Sequence, residues 1–252
     1  MLNVLHLFHQ VLIHSIIPNE ARRGIQPMPF SHVGYAVRTL SMNTRYTVDY
    51  QSILVRIAYP TLDNTLMSNY RRAYVAGGSF FFTLVTERRA PIFRSQTART
   101  CLGTALRDCQ KRWSFRLDAL VLLDDHLHAI WTLPENDTDY SMRWGFIKKE
   151  FTKAWLLADG IEQPRSKSRL QQRRRGVWQR RFWEHTLRDE NDYARHFDYL
   201  HYNPVKHGYV ERVRDWQYST FHRWVKQDVY DLNWGCSIHD TLAFADLDTA
   251  ME

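Results

Sequence analysis

The chain has 252 residues, a formal net charge of +7 and a hydrophobic share of 44%. That describes one ordinary domain with an extension, or two small ones, with enough apolar content for a core and a basic excess that points to a polyanionic partner, nucleic acid first. Three cysteines without a CxxC pair argue against a disulfide framework or a cysteine-built zinc site. No run of 18 apolar residues offers a membrane-spanning helix, and the apolar start lacks the basic segment of a signal peptide, so the cytoplasm is the expected location.

The first 66 residues hold five Arg and three acids, less than half the charge density of the remainder, and no helical or strand period persists in them. The expected organisation is an extension over 1–66, disordered or lying upstream of a true start at Met67, then a domain over 67–234 and a tail over 235–252. Ser79 to Thr86 (SFFFTLVT) reads as a strand, punctuated at its start by Gly77 and Gly78. Thr97 to Trp113 reads as a helix, with Leu102, Ala105, Leu106 and Cys109 at helical spacing. Phe115 to Leu122 reads as a second strand. Asp124 and Asp125 make a turn, and His126 to Leu133 forms the third strand of a hairpin, ended by Pro134.

Asp139 to Ala158 follows as an amphipathic helix, with Trp144, Ile147, Phe151 and Trp155 on its apolar stripe. Pro164 to Arg181 then carries eight Lys or Arg and no acid. Phe182 to Leu187 reads as a fourth strand. Asp189 to Tyr202 reads as a last long helix that ends near Asn203, because Pro204 follows. The order β, α, β, β, α, β and a further helix suggests an α+β fold, a ferredoxin-like split βαβ sandwich with helices on one face of an antiparallel sheet and an additional C-terminal helix.

Two features carry chemistry. His126 and His128 flank Leu127, and on a strand residues i and i+2 share a face, so both imidazoles project side by side, suited to one metal ion. Alone, such a pair reads more readily as two histidines at a sheet surface, and the rest of the chain has to decide. On the last helix His196, Tyr199 and Asn203 stand at i, i+3 and i+7 and share a face. A tyrosine hydroxyl can attack phosphorus and hold a DNA strand as a covalent ester, while a divalent ion polarises the phosphate. Asn203, one turn beyond Tyr199, is a candidate third ligand. Tyr202 is the rival nucleophile, about 300° around the helix from Tyr199. His196 is a candidate for proton transfer, His185, His201 and His207 lie near in sequence, and Glu184 is a further candidate metal contact.

The segments YRRAYVAGGSFFFT, LLDDHLHAIWTLPE, FIKKEFTKAW, RRFWEHTLRDENDYARHFDYLHYNPVKHG and STFH together resemble the REP-associated tyrosine transposases, within the single-strand nucleases that have a His-hydrophobe-His motif and one catalytic tyrosine. The resemblance spans roughly Met67 to Trp234, with the elements in family order. It implies a ferredoxin-like fold, metal-dependent cleavage and rejoining of single-stranded DNA at repetitive extragenic palindrome hairpins, and a 5′-phosphotyrosine intermediate. By motif position Tyr199 matches the nucleophile, His126 and His128 the metal ligands, and Asn203 the polar ligand, with Mg²⁺ or Mn²⁺ as the ion. A monomer or homodimer at the nucleoid fits that role. The segment from Ile161 to Gly176 is longer and more basic than the family pattern, and the first 66 residues match nothing in it.

DNA contacts are expected from Arg71, Arg72, Arg173, Arg174, Arg175, Arg180 and Arg181, with Lys148 and Lys149 adding charge. Trp178 is expected to stack on unpaired bases, with Phe182 and Trp183 divided between that role and the core. The alternative function is a domesticated protein that binds repeat DNA without cutting it. Retention of Tyr199, His126, His128 and Asn203 favours the enzyme.

Overall fold

A computed structural model describes residues 72–236. The expected extension over 1–66, the start at Met67, Arg71 and nearly all of the expected tail lie outside the described residues. Four strands and five helices follow in order: β1 (Ser79–Val85), α1 (Gln96–Arg112), β2 (Arg116–Leu122), β3 (His126–Thr132), α2 (Tyr140–Leu157), α3 (Lys167–Gln171), β4 (Trp183–Thr186), α4 (Glu190–Lys206) and α5 (Phe221–Val225). Every strand and long helix anticipated from the pattern is present, with ends displaced by a few residues at most. The short α3 within the basic segment was not anticipated.

Local chemistry starts the long helices. Ser95, Asp139 and Asp189 each cap one by accepting a backbone N–H of the first turn with the side chain, each cap contributing about 1 kcal/mol. At the entry to β1, Gly77 turns at φ +67, a left-handed conformation that glycine adopts without a Cβ penalty.

The sheet order is β2-β3-β1-β4 and each neighbouring pair is antiparallel. Thus β1 and β2 run parallel with β3 between them, and β3 and β4 run parallel with β1 between them. Strand alternation sorts the side chains onto two faces. Phe80, Phe82, Leu84, Leu127, Ala129 and Trp131 meet α1 and α2. The Trp131 ring lies between Phe115 and Trp144, with centroid separations of 4.1 and 4.0 Å. The other face presents Phe81, Ala119, Val121 and Ile130 to Phe197, Tyr199, Leu200 and Tyr202 of α4. Both faces are therefore covered. The expectation of helices on one face holds for α1 and α2, and the additional helix closes the opposite one, because Phe81 and Ile130 leave that face apolar too.

Helix α4 departs from the expected end at Asn203. It runs through Pro204 to Lys206. Proline lacks the N–H that would reach the Leu200 carbonyl, which normally breaks a helix interior. Here only one further turn is needed, and it closes on other donors: His207 N–H to the Asn203 carbonyl at 3.0 Å and Tyr209 N–H to that of Pro204 at 2.9 Å, with Gly208 at φ +69 ending it. The extension carries Lys206 and His207 onto the face of Tyr199 and Asn203.

Behind α4, His201 is fully buried in a polar chain. Its Nδ1 lies 2.9 Å from the Phe197 carbonyl and its Nε2 lies 2.9 Å from Thr220 Oγ1. Burial above all holds its pKa down at about 3, with the charge of Arg223 adding and the Phe197 carbonyl opposing. The folded value lies below the ordinary imidazole value, so the unfolded chain takes up the proton first. Stability from this group is complete above about pH 6.5 and is lost as pH falls toward 3. Replacing His201 with Asn is expected to remove about 2 kcal/mol of the stability difference between pH 7 and pH 5. Denaturant melts at the two pH values check this, and an unchanged difference in the variant overturns it.

Among the described residues, no helix is long and apolar enough to cross a membrane.

Candidate nuclease site

The strand β3 turns His126, His128 and Ile130 toward α4, as alternation requires. Both imidazoles are 3% exposed, and their ring centroids lie 5.1 Å apart. His126 Nδ1 is 2.5 Å from Asp125 Oδ1. A carboxylate accepts, so Nδ1 donates and Nε2 is the nitrogen available to an ion, the arrangement that orients metal-bound histidines. Burial pushes the Asp125 carboxyl up, but the hydrogen bond and charge of His126, with Arg89, outweigh it and hold it below the ordinary range. His128 makes its own Nδ1 contact, 2.9 Å from Thr83 Oγ1 on β1. Burial first, then the charges of His126, His207 and Lys206, push His128 well below the usual imidazole pKa, while the neighbouring Asn203 amide works in the opposite direction. His128 is therefore neutral at pH 7, the form that ligates metal.

The helix brings the other half. Tyr199 is 1% exposed, and its ring centroid lies 5.8 Å from that of His128 and 6.1 Å from that of Phe81. Lys206 Nζ donates to the Tyr199 hydroxyl at 3.1 Å. Asn203 is fully buried, and neither its side-chain oxygen nor its nitrogen has a hydrogen-bond partner. An orphaned buried amide costs roughly 1–3 kcal/mol, and here it lies beside an imidazole pair. This donor set fits a divalent ion: two imidazole Nε2 atoms and one amide oxygen leave positions open for phosphate and water. The His207 ring lies 5.2 Å from that of His126, a third imidazole at the same place.

Tyr202 packs edge-on to Trp234, with ring centroids 6.4 Å apart. Glu184 is not near the histidine pair. It faces the opposite side of the sheet, where Tyr140 donates to it at 3.1 Å and Arg72 approaches at 3.7 Å, because it sits between Trp183 and His185 on β4 and so takes the other parity. His196 lies against Phe81, with ring centroids 5.1 Å apart, and stacks on His185 at 4.5 Å rather than reaching the Tyr199 hydroxyl. Burial, more than the charges around it, holds His196 below its usual pKa. His201 belongs to the chain behind α4, and Asp198 accepts from Tyr230 at 2.6 Å.

The arginines fall into two groups. Arg72 is engaged on the α2 side, its guanidinium 4.4 Å over the Phe182 ring and close to Ser141. Arg173, Arg175, Arg180 and Arg181 are exposed and Arg174 partly so, with Arg175 paired to Glu162 at 2.5 Å. The basic segment is tied at its base by Gln163 N–H to the Gly176 carbonyl at 2.9 Å. Gln179 N–H bonds the Val85 carbonyl, and Val85 pairs with His126 across the sheet. Arg180 and Arg181 therefore leave from the sheet end that holds the histidine pair. Lys148 is turned inward, its ammonium 2.6 Å from the Gln179 carbonyl and its pKa pulled down to about 8, chiefly by burial.

Trp178 is turned into the core. It is 5% exposed, packed against Phe93 and Phe151 at 5.6 and 5.2 Å, so its ring faces are spent on the core. Trp183 is half-buried, opposite Thr83 on the sheet face of Tyr199, with its ring parallel to that of His185. The sequence does not point to Lys206, because Pro204 reads there as a helix end, yet Lys206 meets the Tyr199 hydroxyl. With the helix continued, 199, 203 and 206 are successive members of one face.

No family model matches the chain. A Haemophilus influenzae protein named as a REP-associated tyrosine transposase is 44% identical over 169 residues, covering 67% of this chain and 94% of its own length. The REP-associated tyrosine transposase of Escherichia coli is 41% identical over 175 residues, covering 69% of this chain and 94% of its own. The solved structure of a REP-associated tyrosine transposase bound to a REP hairpin matches with a TM-score of 0.57 at 42% identity, covering 67% of this chain and 91% of the other. The four-stranded antiparallel sheet with helices, and a tyrosine buried against paired strand histidines, belong to a chain whose relatives at 41–44% identity are transposases. The chain belongs to the REP-associated tyrosine transposases.

Proposed function

We propose that this transposase cleaves and rejoins single-stranded DNA at repetitive extragenic palindrome hairpins through a 5′-phosphotyrosine ester on Tyr199. The observation that carries the reading is the convergence of Tyr199, Lys206 and the buried, unpartnered Asn203 amide on the His126–His128 pair. The relatives' names and the hairpin in the solved structure support the substrate. The strand order, with each parallel pair split by a third strand, supports a ferredoxin-like class for the fold.

In this mechanism the Tyr199 oxygen attacks the scissile phosphorus. A P–O bond forms to tyrosine, the P–O3′ bond breaks, and the released 3′ oxygen takes up a proton as the tyrosine hydroxyl loses one. One ester replaces another, so attack by a 3′-hydroxyl restores the phosphodiester without a further energy source. His126, His128 and Asn203 would hold Mg²⁺ or Mn²⁺, which supplies positive charge against the phosphate. Lys206 holds the Tyr199 hydroxyl and favours its anionic form. Arg173, Arg174, Arg175, Arg180 and Arg181 bind phosphates of the hairpin or its flanks, and Trp183 offers a ring to an unpaired base. The protein would act at the nucleoid.

The test is a labelled single-stranded oligonucleotide carrying a repeat hairpin from the gene's own flanks, incubated with protein and Mg²⁺ or Mn²⁺. A covalent adduct on a denaturing gel, dependent on the ion, is the expected result. Hairpin binding without adduct under either ion rejects the cleavage reading in favour of a domesticated binder. Replacing Lys206 with Met is expected to slow adduct formation roughly 10- to 100-fold, with hairpin affinity nearly unchanged. Equal rates would remove Lys206 from the reaction.

A further inference from the structure

We propose that His185, Asp192 and His196 form a second divalent-metal site, of the zinc type, separate from the His126–His128 pair. One ligand atom from each of the three lies within 4.8 Å of the others. His185 comes from β4, and Asp192 and His196 stand at i and i+4 on the first turns of α4. His185 Nε2 is 2.9 Å from Asp192 Oδ2, and His196 Nδ1 is 3.0 Å from Asp192 Oδ1. A tetrahedral zinc with bonds of about 2.0–2.1 Å sets neighbouring ligand atoms roughly 3.3 Å apart. Both His–Asp separations are near that spacing, although they end on different carboxylate oxygens, and movement of the rings and the carboxylate within the 4.8 Å cluster admits an ion.

Two imidazoles and one carboxylate, with room for one water, make the four-coordinate set that zinc takes. The side chains of His185 and Asp192 are 22% and 20% exposed, so water can supply the fourth ligand. The Phe81 ring separates the two sites, with centroids 5.1 Å from His196 and 5.3 Å from His128. On binding, the protons that the two rings now share with the carboxylate move to their other nitrogens, and His196 gives up its 2.8 Å contact with the Asp192 carbonyl. The ion would pin β4 to α4 one turn before Tyr199. Its role is to fix the helix that carries the tyrosine. Without an ion, the same three groups form a hydrogen-bonded cluster, the competing outcome.

The test uses the full chain with His126→Ala and His128→Ala, which removes the other imidazole pair. After exposure to Zn²⁺ and exhaustive dialysis, elemental analysis is expected to find about one zinc per chain. The melting temperature is expected to rise with Zn²⁺ and not with Mg²⁺. Adding Asp192→Asn, or separately His185→Gln, is expected to cut retained zinc at least tenfold with an unchanged far-ultraviolet dichroism spectrum. The two substitutions are independent, so misfolding of one leaves the other to decide. No zinc in the His126/His128 variant, or full retention in both added variants, overturns the proposal.

Discussion

Replacing Tyr199 with Phe is expected to abolish covalent capture of hairpin DNA while leaving the protein folded. The substitution removes one oxygen from a ring that is otherwise packed between Phe81 and His128, so the apolar contacts of α4 with the sheet survive. Loss of a nucleophile costs at least roughly 1,000-fold, which takes the adduct below detection on a gel. Hairpin affinity is expected to stay within a few-fold, because the exposed arginines are untouched. The check pairs the adduct assay with a gel-shift measurement. An adduct that persists in Tyr199→Phe would move the nucleophile elsewhere, first to Tyr202, even though that ring faces Trp234.

The second large effect is on stability. Replacing Trp131 with Ala is expected to destabilise the domain by about 3–5 kcal/mol, lowering the melting temperature on the order of 10 °C. Trp131 has no exposed surface and fills the space between Phe115 and Trp144. Its removal leaves a void that two rigid neighbours cannot close. Replacing it with Phe is expected to cost much less than the alanine change, because the Trp131 indole N–H has no hydrogen-bond partner to lose. Calorimetric or denaturant melts of the two variants check the order, and equal losses would contradict it.

Much of this was legible in the sequence, for identifiable reasons. Strands rich in Phe, Val and Leu and helices with an apolar stripe announce themselves locally, and strand parity alone puts His126 and His128 on one face. What escaped depends on distant contacts. Trp178 sits among arginines in sequence, yet packs on Phe93 and Phe151, and nothing local marks that burial. Glu184 lies next to a site histidine's neighbours in sequence and on the wrong side of the sheet in space. Pro204 was read as a stop, although the donors that complete the turn lie beyond it, at His207 and Tyr209. The meeting of His185 with Asp192 and His196 required the placement of β4 against α4.

The division of β3 between its two faces has a further consequence. Leu127, Ala129 and Trp131 alternate with His126, His128 and Ile130, so a displacement of the strand by a single residue would drive both imidazoles into the aromatic layer and carry Trp131 toward the tyrosine. Such a chain could still collapse and bury a similar area, but it would be chemically inert. The Phe115–Trp131–Trp144 stack penalises that alternative, since no other side chain of β3 fills the gap between those rings. Under the proposed mechanism, covalent capture of DNA would report on the alignment of the hairpin as much as on the tyrosine, and a preparation of partly misaligned molecules would reveal itself as a reduced reactive fraction with unchanged kinetics in the remainder.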